Sequence, residues 1–147
     1  MATKYSGTKQ EINSLNNYIK LIRASESLSS RVNLMLSKKG LTISQFAVMD
    51  VLYNLGALSQ KDLGKKILRS GGNITMVIDN LEKLGYVERE RSRDDRRFFI
   101  IHLTKKGKRF FSNIFPIFLE AVVKEFKVLT DKEQLEFQRM CKLVGLK

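Results

Sequence analysis

The segment that most constrains this chain runs from Leu58 to Thr104, LSQKDLGKKILRSGGNITMVIDNLEKLGYVERERSRDDRRFFIIHLT. Ser59 and Asp62 open a short helix that carries Leu63 and Ile67. After a tight glycine-containing connection, a longer helix is expected from Gly72 to Leu84, because Ile74, Val77, Ile78 and Leu81 fall on one face at ~100° per residue. Gly85 ends it. Tyr86 to Arg91 and Phe98 to Leu103 then read as two strands, with Phe99, Ile101 and Leu103 inward and Phe98, Ile100 and His102 outward. The joining loop, Ser92 to Arg97, holds three arginines in six residues. Two helices on a tight turn followed by a basic hairpin can grip duplex DNA in two grooves at once. The fold class expected is mainly α with a small β-hairpin wing (α+β), a winged helix-turn-helix.

The flanks extend this pattern. Residues 1–9 read as a polar, frayed tail, and a long helix is expected from Glu11 to Lys38, with Ile12, Leu15, Ile19, Ile22, Leu28, Val32 and Met35 at mostly three- and four-residue steps. Gly40 ends it. Thr42 and Gln45 have capping-box spacing and open a second helix, whose Phe46, Met49, Leu52 and Tyr53 share a face until Gly56 closes it. Thr104 can cap a helix bearing Phe110, Phe111, Ile114, Phe115, Phe118, Val122 and Phe126, with a kink expected at Pro116. Thr130 and Glu133 repeat the capping-box spacing for a last helix ending near Gly145.

These terminal helices hold more large apolar groups than a thin lobe can cover. Packing within the monomer is one way to bury them. Pairing with a second copy is favoured, because a two-fold dimer would present two recognition helices to a pseudo-palindromic site. The expected organisation is one unit over 1–147, with a DNA-binding lobe at 42–104 and dimerisation helices at 11–38 and 105–147.

Charge supports a polyanionic partner. The formal net charge is +12 with a pI near 10. Residues 59–110 hold 14 Lys/Arg against 7 Asp/Glu, so the excess is densest over the helix-turn-helix pattern, which favours nucleic acid over a membrane or an acidic protein. The lone cysteine, Cys141, excludes an intramolecular disulfide framework and fits a reducing cytosol. The first residues contain no apolar signal core, and no apolar run approaches the ~18 residues of a membrane span, so a cytoplasmic protein is expected. An enzyme is not: His102 is the sole histidine, it lies in a predicted strand, no Cys/His/Asp cluster has zinc spacing, and no glycine-rich phosphate loop is present. No metal or cofactor is expected.

A recognition helix offers unpaired N–H groups and short polar side chains to phosphates and base edges. Ser70, Gly71, Gly72, Asn73 and Thr75 suit that role, although Ser70-Gly71-Gly72 also fits a plain capped turn. Asn73 carries the amide needed to read an adenine edge. Gly72, Met76, Asp79 and Lys83 lie opposite the apolar face, with Asn73, Thr75 and Asn80 flanking. The stretch RSRDDRR offers Arg91, Arg93, Arg96 and Arg97 beside Asp94 and Asp95. Guanidinium groups favour narrow minor grooves, and a neighbouring carboxylate can hold one in pose.

Taken together in order and spacing, LTISQFAVMDVL, LSQKDLGKKI, SGGNITMVIDNLEKLGYVERE and DDRRFFIIHLTKKGKRFF resemble the MarR (multiple antibiotic resistance regulator) family of bacterial winged-helix repressors. Asp95 and Arg97 match its Asp-x-Arg wing, and Leu103, Thr104 and Gly107 its Leu-Thr-x-x-Gly signature. The resemblance implies that Arg97 enters the minor groove with Asp95 positioning it, and that the first and last two helices form an intertwined dimer. Met76 departs from the arginine that many relatives carry there. Relatives often bind phenolic or other aromatic ligands between dimer helices and lobe. Here Tyr18, Phe46, Met49, Tyr53 and Phe111 are the candidate lining, although aromatic and methionine positions at helical spacing are more often core. Some relatives sense oxidants through a cysteine near the first helix, where this chain has none. Cys141 has Arg139 and Lys142 nearby, but a cysteine on an apolar helix face is ordinarily an inert small hydrophobe.

The leading expectation is therefore a homodimeric, sequence-specific double-stranded DNA-binding repressor, released by a small aromatic effector. The alternatives are a winged-helix protein-interaction module and a sequence-indifferent architectural DNA binder.

Overall fold

Helix caps set most of the element boundaries. A computed structural model describes residues 2–67 and 71–145, with residues 71–73 described by their backbone alone. The first helix, α1 (Lys9–Ser37), begins two residues earlier than expected, because Thr8 and Glu11 form a capping box. The Thr8 N–H donates to Glu11 Oε2 at 2.8 Å, and the Glu11 N–H to Thr8 Oγ1 at 3.3 Å. The polar lead is tied down further where the Thr3 N–H donates to Asn16 Oδ1 at 2.8 Å. Helix α2 (Ile43–Leu55) starts on the expected Thr42–Gln45 box and ends at Gly56, which adopts the left-handed φ of 79°.

A strand of two residues, β1 (Leu58–Ser59), precedes α3 (Gln60–Ile67), where Ser59 Oγ caps the helix by accepting the Asp62 N–H at 3.1 Å. Helix α4 (Gly71–Lys83) ends through Gly85, at φ 76°, with the Tyr86 N–H donating back to the Leu81 carbonyl at 3.0 Å. Strands β2 (Val87–Arg91) and β3 (Phe99–Leu103) pair antiparallel, with Val87 opposite Leu103 and Arg91 opposite Phe99. The β1 strand joins the other edge of β3, giving the order β1-β3-β2.

Thr104 caps α5 (Lys105–Phe126), which continues as one helix through Pro116. The Leu-Thr-x-x-Gly segment has a packing reason. The Thr104 N–H donates to the Tyr86 carbonyl at 3.0 Å, and its hydroxyl to the Gly85 carbonyl at 2.7 Å. That draws the first turn of α5 onto the start of β2, where a Cβ on Gly107 would meet the Tyr86 oxygen at 2.1 Å. The last helix, α6 (Asp131–Gly145), opens on the expected box, with the Thr130 N–H on Glu133 Oε2 at 2.7 Å.

The core lies between α2, α3, α4 and the sheet, where Val48, Met49, Leu63, Ile78, Leu81, Val87 and Ile101 are fully or almost fully buried, and Leu36 and Phe111 close it from α1 and α5. Two inward expectations fail. Tyr53 turns out exposed on α2, its hydroxyl 3.2 Å from Ser112 Oγ. Phe99 points to the inner face of the sheet but is exposed, because the hairpin runs past the end of the core. There the Arg91 guanidinium lies over its ring, 4.9 Å from the centroid. Arg31 ties α1 to α5 through Glu125 Oε2 at 2.7 Å, which raises the Arg31 pKa and lowers that of Glu125.

Candidate nucleic-acid interface

The inner face of α4 packs as its periodicity requires. Ile78 and Leu81 are buried and Ile74 and Val77 lie against the core, which leaves Thr75, Met76 and Asn80 exposed on the opposite side. Gly71, Gly72 and Asn73 are helical in backbone, so the helix starts one residue before the expected Gly72. Ser70 lies outside the described residues.

Two side chains from other elements hold this helix. Gln60 Nε2, at the start of α3, donates to Thr75 Oγ1 at 2.8 Å. Arg89 reaches from β2, its Nη1 hydrogen-bonded to Asp79 and 3.8 Å from Glu82 Oε1, and its Nη2 donating to the Thr75 carbonyl at 3.3 Å. The Arg89 side chain is only 18% exposed. Neither residue stood out in the sequence. The signal was present for Arg89, which alternates with Val87 on the inward face of β2, where a charge needs an opposite partner.

The wing is closed by the Ser92 N–H on the Phe98 carbonyl at 2.9 Å and the Phe98 N–H on the Asp95 carbonyl at 3.0 Å. Inside that turn Asp95 receives Arg97 four times: from its backbone N–H at 3.0 Å, from Nε at 3.0 and 3.1 Å, and from Nη2 at 2.7 Å. These hydrogen bonds, the side-chain ones foremost, hold the Asp95 carboxyl below the usual carboxylate range and raise the Arg97 pKa. The Arg97 side chain is nonetheless 85% exposed. It is a fixed cation presented to solvent, with its guanidinium 6.0 Å from the Phe98 ring centroid. Arg93 and Arg96 are exposed beside it, and Arg91 Nη1 donates to the Arg96 carbonyl at 2.8 Å, bracing the loop from the strand.

On the other face of the hairpin, His102 Nε2 lies 3.1 Å from Glu88 Oε2, its cross-strand partner, and Glu90 is close enough for the three ligand atoms to fall within 4.8 Å of one another. No linear spacing showed this cluster, since the strand register assembles it. A cross-strand pair of this type accounts for the contact without an ion.

Of the candidate ligand-lining residues, Phe46, Met49 and Phe111 belong to the buried core. Phe46 and Phe111 rings stand 5.4 Å apart, and Tyr53 packs 4.8 Å from Phe111, so three of the five meet in one aromatic seam between α2 and α5. Tyr18 is 63% exposed on α1, and among the described residues the ring contacts do not extend to it. Cys141 is exposed on α6.

A helix-turn-helix whose second helix exposes a polar and apolar outer face, followed by a hairpin carrying a carboxylate-braced arginine, defines a winged helix-turn-helix protein. Residues 41–98 match the sequence model of the MarR family. Over 133 residues the chain is 35% identical to the HTH-type transcriptional regulator MhqR of Bacillus subtilis (strain 168), spanning 90% of this chain and 92% of that one. The chain belongs to the MarR family of DNA-binding transcriptional regulators. The fold is shared with Sco3205, a MarR family transcriptional regulator from Streptomyces coelicolor solved in complex with DNA (TM-score 0.87, 20% identity, 97% of this chain and 90% of that one). It is also shared with Bordetella bronchiseptica BpsR, whose structure addresses regulation of DNA binding by 6-hydroxynicotinic acid (TM-score 0.74, 19% identity, 86% and 98%). Among the described residues no helix is long and apolar enough to cross a membrane.

Proposed function

We propose that this regulator is a homodimeric repressor that binds an inverted repeat in double-stranded DNA, with α4 in the major groove and Arg97 in the minor groove. The observation that carries the reading is the Asp95–Arg97 arrangement, in which three side-chain hydrogen bonds, with a fourth from the Arg97 backbone N–H, fix a guanidinium whose side chain stays 85% exposed. Such a group loses little conformational freedom when it enters a groove of strongly negative potential. The terminal helices supply the dimer. Leu15, Leu21 and Ile22 on α1, Ile117, Leu119 and Val123 on α5, and Leu135, Leu143 and Val144 on α6 are all exposed, an apolar excess that a second copy would cover.

The effector in this reading is a small aromatic molecule. The Phe46–Tyr53–Phe111 seam joins α2 of the lobe to α5 of the flank, so a ring bound there would bias how the lobe sits on its flanking helices. Release requires that the ligand bind more tightly to the dimer whose recognition helices are wrongly spaced.

Selection of bound duplexes from a random pool, followed by titration at two salt concentrations and with aromatic acids present, tests the proposal. The expected result is an inverted repeat bound by a dimer, with affinity falling steeply as salt rises because phosphate contacts release counterions. Equal affinity for selected and random DNA would reduce the protein to an architectural binder. Absence of any measurable duplex binding at physiological salt would point to a protein-interaction module.

A further inference from the structure

On the outer face of α4, Met76 is a large apolar side chain at 61% exposure, outside the core cluster. Polar groups of two of its neighbours, Thr75 and Asp79, are already engaged within the protein. The Thr75 hydroxyl accepts from Gln60 Nε2, the Thr75 carbonyl accepts from Arg89 Nη2, and Asp79 is paired with Arg89. These ties come from α3 on one side and β2 on the other, and they anchor the residue before Met76 and the residue three after it. Its own side chain is left free to reach outward.

A thioether has no hydrogen to donate and accepts only weakly, so Met76 cannot grip a phosphate or pair with a polar base edge. In the major groove the one apolar group that a base edge presents is the C5-methyl of thymine. The unbranched, polarizable methionine chain can settle over such a methyl without demanding a single rotamer. We propose that Met76 is a specificity-determining residue that reads a thymine methyl group in each half-site. This rests on the DNA-binding reading above and adds the base that one position of the recognition helix selects.

The test uses the full-length protein and the duplex it selects from a random pool. Each thymine of that duplex is replaced in turn by deoxyuridine, which removes the C5-methyl and leaves every hydrogen-bonding group in place. The expected result is a loss of about fourfold in affinity at one thymine per half-site, the worth of one buried methyl group. Replacing that base pair so that the same site carries 5-methylcytosine in place of cytosine should improve binding by a similar factor. In Met76→Ala both sensitivities should vanish. Alanine favours the helix and the site is exposed, so the variant should fold. A selected duplex with a flat uracil scan overturns this inference and leaves the DNA-binding reading standing, as does a Met76→Ala protein that keeps the same uracil sensitivity. A pool that yields no selected duplex overturns both.

Discussion

The segment from Leu41 to Leu103 and the helices that flank it use their apolar residues in opposite ways. Among the described residues, every buried apolar side chain except Leu36, Phe111 and Ile114 comes from that segment. By contrast α6 buries none, although it carries Leu135, Phe137, Met140, Leu143 and Val144. The lobe supplies most of the core, whereas the flanks, beyond the three side chains that close it, keep many large apolar groups outward. Two leucines of similar chemistry therefore report on different equilibria. Leu63→Ala, at a fully buried site, should lower stability by about 2–5 kcal/mol at any protein concentration. Leu143→Ala should cost roughly 0.5 kcal/mol or less within one chain, but weaken association, so its effect on Tm should be small at low protein concentration and grow, then level off, as concentration rises. Thermal unfolding at two concentrations checks both. A concentration-independent loss at Leu143 equal to that at Leu63 would break the contrast.

Gly107 sits where the first turn of α5 meets β2, one of the contacts that join the two regions. A methyl group there would run into the Tyr86 carbonyl oxygen, a backbone atom held by the Thr104 N–H. Gly107→Ala should destabilise by at least the ~1–3 kcal/mol typical of overpacking, since the obstacle cannot rotate away. An unchanged unfolding midpoint would mean that α5 can pull off β2 freely, and that the lobe and α5 are less tightly joined than their hydrogen bonds indicate.

What could be read from the sequence divides along similar lines. The Thr42–Gln45 and Thr130–Glu133 boxes, the inward face of α4 and the Asp95–Arg97 pair all depend on residues within a turn or two of one another. The boxes and the face of α4 follow from spacing alone, whereas the choice of Asp95 for Arg97 among the wing's carboxylates and arginines is what the family resemblance implies. The equally local Thr8–Glu11 box was missed because a polar lead without apolar periodicity looks like a tail. The two-residue β1 strand has no periodicity to read, and is defined only by its pairing with Ile100 and Ile101 of β3. Phe99 alternated correctly but lay beyond the core, since alternation gives the face of a residue and says nothing of where the sheet outruns its support. Arg89 required the register of β2 against α4.

On the lobe's outer surface the local pair and the long-range one can be set against each other. Arg97→Ala should weaken binding to a selected operator by roughly tenfold to a hundredfold, with the unfolding midpoint unchanged because the side chain is exposed. Its brace should hold across neutral pH. The Asp95 pKa is lowered in the folded protein, so the interaction is fully present above the ordinary aspartate range and is lost only as pH falls through the depressed value. Operator affinity should therefore carry no contribution from this pair's titration between about pH 5 and 8. An Arg97-dependent change in affinity within that window would show that the carboxylate is not held as the hydrogen bonds indicate.

Arg89 should give the smallest effect and the most informative one. Its fork bonds Asp79 and the Thr75 carbonyl together, joining the helix that would read bases to the strand that carries the wing. Lysine keeps the charge but has a single ammonium with no planar fork, so it cannot reproduce both contacts in that geometry. Both carboxylate partners are about half exposed, which limits the stability cost of Arg89→Lys to about 1 kcal/mol. The sharper readout is coupling. If Arg89 acts by fixing α4, Arg89→Lys and Asp79→Asn should together weaken operator binding by less than the product of their separate effects, because either change alone already releases the helix. Independent effects that multiply would instead assign Arg89 its own contact with DNA, and helix and wing would then meet the duplex as separate parts.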